Sequence, residues 1–245
     1  MKLVGWFGLF HVFFIVMWMV INIIFSIQNP LELNEGEQPS VIAIEYWSQF
    51  PGYLGMDHGS KALLFLLSIM IPIGLYAFIK KVDKQDALQN LVAMICGVLG
   101  FVIYSISFML QATAVEYAIN TYSATTDESR QQSATMIMEW TMLEGGFSTS
   151  LYILSNFLLA VWLILHAKGL THLGMSRRFV LFSYVVGALN IIGYSMSWFY
   201  LMRGQQVMHD VTEAVGLLFL VWLVWVSVSL IRNGMRRKLN LRTAV

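Results

Sequence analysis

The sequence predicts an all-α fold, a polytopic transmembrane helical bundle of six spans forming a single domain over residues 1–245, with both termini cytoplasmic. Three observations predict it. Charged residues make up 12% of the chain and hydrophobic residues 58%, whereas a soluble globular domain carries roughly 25% charged residues. Six stretches are long and apolar enough to cross a hydrocarbon core, which takes about 20 helical residues. The Lys and Arg residues between those stretches gather on one side.

The first span, 3–27, contains no charge. Its apolar run is far longer than the roughly 7–15 residues of a signal-peptide core, and Phe25-Ser26-Ile27-Gln28 offers no small-x-small cleavage site, so it is expected to stay as an anchor. The second span, 58–79, has its apolar core at 62–79. The third covers 87–115, the fourth 145–167 and the fifth 179–202. The sixth, 208–231, has its core at 214–231. Each must be helical, because lipid offers backbone amides no other partner.

Charge sets the orientation. Lys2, Lys80, Lys81, Lys84, Lys168, Arg177, Arg178, Arg232, Arg236, Arg237, Lys238 and Arg242 fall on one side, and only Lys61, Arg130 and Arg203 on the other. Cationic loops are retained in the cytoplasm, so the linkers and termini belong there. Five or seven spans would scatter these charges. The outer loops are then 28–57 and 116–144. Pro30, Pro39 and Pro51 forbid one continuous helix in the first, whose segment 41–50 suits a short amphipathic piece at the interface. In the second, Thr126-Asp127-Glu128 reads as a helix start.

Several polar residues fall at the outer helix ends and so share one depth: His58, Glu116, Glu139, Glu144, His209, Asp210 and Glu213. Of these, His58, Glu116, Glu144, His209 and Glu213 are the candidate ligand-binding residues. His58, His209 and Glu213 are the candidate metal ligands. His209 and Glu213 are four apart and share a helix face. Imidazole with carboxylate suits a divalent metal or an acid–base pair, but no HxxxH or HExxH spacing is present. The plainer reading is that polar residues belong at helix ends, with Asp57 and Lys61 an ordinary i,i+4 pair. No catalytic residue and no cofactor is specified. Two histidine pairs at two depths, His11 with His166 and His58 with His209, match how membrane proteins hold b-type haems, yet they come from four different helices.

Other features have structural explanations. Asn22, Gln111, Asn156 and Asn190 suit interhelical hydrogen bonds. Gly97 with Gly100, and Gly187 with Gly193, suit close helix packing. The 15 Met residues are scattered rather than spaced as copper ligands. Cys96, the single cysteine, allows no disulfide. No ionisable residue falls at mid-bilayer, which argues against proton relays and coupled transport.

The second span closing in Gly74-Leu75-Tyr76 and Lys80-Lys81, a glycine-bearing third span, Trp140 before the fourth, a short basic linker before the fifth, and a Trp-rich sixth span ending at Arg232-Asn233-Gly234 resemble an uncharacterised bacterial family of six-helix integral membrane proteins, a domain of unknown function. The resemblance is one of pattern over most of the chain. It implies the six-span fold and no activity. This chain departs from it in a longer acidic first loop.

The expected function is an accessory or binding protein, or a subunit of a membrane complex, holding a lipid-like or apolar ligand in a bacterial-type cytoplasmic membrane. The alternatives are a membrane enzyme with a His/carboxylate site, with or without a metal, at the outer interface, and a small-solute transporter. The expected partners are membrane lipids and proteins of a membrane complex. Nucleic acid is not among them, because the Lys and Arg residues form no groove-reading stripe.

Overall fold

Helices account for all the regular structure among the described residues: α1 (Lys2–Gln28), α2 (Pro39–Ser48), α3 (Tyr53–Ser68), α4 (Met70–Ile79), α5 (Ala87–Ser123), α6 (Glu128–Met142), α7 (Phe147–His172), α8 (Arg177–Met202) and α9 (His209–Arg242). The computed structural model describes the backbone of residues 1–31, 38–81, 86–142, 146–203 and 209–242, and their side chains except at 201, 209–213 and 234–242. Among the described residues six helical stretches are long and apolar enough to span a membrane, and each overlaps one expected span. Large apolar side chains stand exposed along them, among them Trp6, Phe13 and Ile24 on α1 and Leu181, Val185 and Ile192 on α8. Soluble monomers rarely expose apolar patches beyond a few hundred Å².

The second span is broken at Ile69, between α3 and α4. Pro72 is the cause. It has no N–H to donate, and its ring crowds the carbonyl of Ser68 one turn earlier. The chain tightens there, with the Ile69 amide bonded to the Leu66 carbonyl at 3.4 Å, a three-residue spacing.

The chain packs as two compact units, each assembled from separated segments. The first comprises Met1–Phe14, Phe65–Val102 and Ile153–Val245. Its helices α5 and α7 run antiparallel with small residues set against large ones. A Cβ at Gly97 would meet Pro72 Cβ at 2.7 Å and Trp162 Cγ at 2.9 Å, and one at Gly100 would meet Leu159 Cγ at 2.8 Å. Gly5 likewise lets α1 approach the Ser227 carbonyl of α9, where a Cβ would lie 2.6 Å away. Close packing of Gly97 and Gly100 is therefore as expected. Gly187 is similarly tight against Ile164, but Gly193 has only ordinary contact, with Val215 at 3.9 Å. The core is aromatic: Trp162 lies edge-on to Trp222 and Phe101, and Trp222 stacks on Phe179. The Trp222 indole donates to Ser183 Oγ at 2.7 Å. Asn190, expected to bond across helices, instead donates to Val186 of its own helix at 2.7 Å. Gly174, at φ +79°, ends α7 in the left-handed conformation that glycine adopts without strain.

The second unit comprises Ile15–Leu64 and Ile103–Tyr152. Here α2 and α6 pack on α3 and α5 around a buried core of Ile44, Leu54, Val115, Ala118, Ile119, Ala134 and Met138. Pro39 opens α2 where a missing N–H is harmless. Asp127 caps α6 as its sequence suggests, accepting from the Ser129 amide at 3.0 Å. Tyr122 of α5 donates to Glu45 of α2 at 3.0 Å.

Candidate functional site

The second unit holds a charged cluster that composition alone would not lead one to expect. One to two turns into α3, Lys61 Nζ lies 2.6 Å from Asp57 Oδ1, with the lysine side chain 15% and the aspartate side chain 6% exposed. A buried charge survives only when it is paired and hydrogen-bonded, and α1 supplies the remaining bonds. Asn22 Nδ2 donates to Asp57 Oδ2 at 3.3 Å, and Tyr53 holds the amide in place by donating to Asn22 Oδ1 at 2.7 Å. The ammonium sits 6.0 Å from the Trp18 ring centroid and 5.9 Å from that of Phe108. His58 stacks on Phe108 with centroids 5.7 Å apart, and Trp18 lies edge-on to Tyr53.

Three polar atoms of the cluster are buried with no hydrogen-bond partner among the described residues, Trp18 Nε1, His58 Nδ1 and Asp57 Oδ1, and of these only Asp57 Oδ1 is met by a counter-charge, the Lys61 ammonium at 2.6 Å. Leaving such a group unsatisfied costs about 1–3 kcal/mol. The cluster thus combines an internally neutralised ion pair, a fixed amide–phenol pair, and two unused hydrogen-bonding atoms set among aromatic rings.

Of the expected ligand-binding residues, His58 belongs to this cluster. Glu116 has a structural duty close by. Its carboxylate accepts from the amides of Gly52 at 3.2 Å and Gly55 at 2.9 Å, satisfying free donors at the start of α3, where the helix dipole favours negative charge. Gly55 is small because it must be, since a Cβ there would lie 2.9 Å from Glu116 Cγ. Glu144 lies outside the described residues. His209, Asp210 and Glu213 lie on α9 with their side chains outside them, so the expected metal set of His58, His209 and Glu213 is seen only at His58. Among the described residues no three His, Cys, Asp or Glu side chains come together to hold a metal. Glu139 lines a groove of about 420 Å³ of mixed polar and apolar character, with Gln131, Gln132, Tyr122, Val41 and Met136 among its other residues.

Two histidines of the first unit, His11 and His166, are buried. His11 Nδ1 shares a 2.6 Å hydrogen bond with Ser68 Oγ. His166 is fully buried, and a run of ring contacts through Trp162 and Phe101 leads from it to His11.

In the sequence Asp57 and Lys61 read as an ordinary i,i+4 pair, and nothing local links them to Trp18 or Tyr53. The available signal was depth. Lys61 lies eight residues into the Tyr53–Ile79 stretch, about 12 Å along a helix rising 1.5 Å per residue. Inside a membrane span an ionisable residue is a functional-site candidate. The chain matches no protein-family model, no curated protein and no solved structure.

Proposed function

We propose that the chain is a six-span integral protein of the cytoplasmic membrane with both termini cytoplasmic, acting as an accessory or binding protein. In this reading it is a member of the bacterial six-helix family that it resembles. The second unit faces outward and holds a lipid-like ligand or docks a partner of a membrane complex. The observation that carries this reading is the separate core that α2 and α6 build with α3 and α5. Spanning a bilayer does not require it. Fixing a shaped surface outside the bilayer does, and the groove at Glu139 lies on that surface.

The test is extraction of the full chain in mild detergent, with co-purifying proteins and lipids identified by mass spectrometry. A stoichiometric partner or lipid that is lost on Ile44→Asp, which disrupts the α2 packing, supports the reading. A wild-type protein carrying neither overturns it.

Small-solute transport is the second reading. It gains support from two features, the break at Ile69 and the Asp57–Lys61 pair with its largely buried side chains. On that reading Pro72→Ala, which restores the missing donor, slows solute flux in reconstituted vesicles. On the binding reading it leaves co-purification unchanged.

A further inference from the structure

We propose that the Trp18–His58–Lys61 cluster is a binding site for a neutral, lipid-soluble molecule whose head bears carbonyl or hydroxyl oxygens, of which a quinone-type ring is one source and a neutral glycerolipid another. The inference rests on the binding reading above and gives it a ligand class and a location.

Charge is the first argument. The Lys61 ammonium is matched by the Asp57 carboxylate at 2.6 Å, so the site carries no net charge with which to select an ion. An incoming anion would meet that carboxylate beside the ammonium. Hydrogen bonding is the second. Trp18 Nε1 is a donor only. It is buried without a partner among the described residues, as is His58 Nδ1. An oxygen-bearing head satisfies the indole donor, a hydroxyl answers His58 Nδ1 in either tautomer, and a carbonyl answers it when Nδ1 carries the proton. Shape is the third. The rings of Trp18 and Phe108 flank the ammonium at 6.0 and 5.9 Å, and His58 stacks on Phe108. Aromatic faces so arranged suit a planar head with an apolar body. Asn22 and Tyr53 are already bonded to each other and hold the carboxylate side of the site in place.

The test uses the full chain in mild detergent and reads the concentration-dependent rise in its thermal unfolding midpoint. The three probes are decylbenzoquinone, dioctanoylglycerol and dioctanoyl phosphatidic acid. At least one neutral probe is expected to raise the midpoint. Trp18→Phe and His58→Leu are each expected to need about tenfold more of it for the same rise, the loss of one hydrogen bond. His58→Asn, which keeps a hydrogen-bonding side chain, is expected to recover part of the response. Trp162→Phe, which removes another buried indole without a hydrogen-bond partner among the described residues, is expected to leave it unchanged. Whichever neutral probe acts identifies the source. The inference is overturned if no neutral probe acts, if the anionic probe acts more strongly, or if Trp18→Phe and His58→Leu respond like wild type. Stoichiometric lipid or partner in the extraction experiment, with no response here, would sink this site while leaving the binding reading in place.

Discussion

Removing one member of the Asp57–Lys61 pair should destabilise the protein far more than removing both. Asp57→Asn keeps the shape and the bond from Asn22 but leaves an ammonium with no counter-charge, and Lys61→Met leaves the carboxylate. Breaking a fully buried pair costs about 3–5 kcal/mol, whereas an exposed pair is worth about 0–1 kcal/mol. With side chains 15% and 6% exposed and 2.6 Å between charged atoms, this pair belongs near the buried limit. The lysine's flexible stem lets the head reach toward water, which lowers the expected loss to about 2–3 kcal/mol for each single variant. The double variant Asp57→Asn/Lys61→Met leaves no charge unpaired, and replacing buried pairs by neutral groups is often close to neutral. A double-mutant cycle, read by reversible denaturant unfolding in mixed micelles, should therefore give a coupling of about 2 kcal/mol or more. A coupling below about 0.5 kcal/mol would show that the pair is solvent-screened. The cluster would then be an ordinary wet ion pair and no buried charged site.

Helix packing gives a contrasting pair of glycines: Gly97→Leu, which must displace Pro72 and Trp162, should lose about 3 kcal/mol or fail to fold, while Gly193→Ala, with nothing nearer than 3.9 Å, should unfold within about 1 kcal/mol of wild type. Ser183→Ala strands the Trp222 indole donor and should cost about 1–3 kcal/mol in the same unfolding assay. On the binding reading, His209→Ala and Glu213→Ala keep both fold and co-purifying material. The enzyme reading instead requires each to abolish an activity with the fold intact.

The spans were legible because a long apolar run has only one way to satisfy its backbone in lipid. The start of α6 was legible because Asp127 and Glu128 carry a local signal that needs no tertiary partner. The break at Ile69 was also within reach, since Pro72 stands in the sequence, but a span averaged for hydropathy hides it. What the sequence withheld were the long-range pairings. Nothing local says that Asn22 will meet Asp57 and Tyr53, residues 35 and 31 positions away, or that Glu116 will cap a helix 61 residues earlier. The same limit made Asp57–Lys61 look ordinary, because i,i+4 spacing is identical on a wet surface and in a buried cluster. Asn190 shows the converse. A polar residue within a span was taken to reach across helices, and it bonds back to Val186 instead.

Everything functional above assumes that the six apolar stretches cross a bilayer with the α2 and α6 segments outside, and site-directed labelling measures that directly. With Cys96→Ser as background, single cysteines at Glu37, Arg130, Lys84 and Lys238 are treated in intact cells with a membrane-impermeant maleimide. Labelling at Glu37 and Arg130 alone, with Lys84 and Lys238 reacting only after permeabilisation, is the predicted pattern. The reverse pattern, or a chain that stays in the supernatant without detergent, would contradict the account.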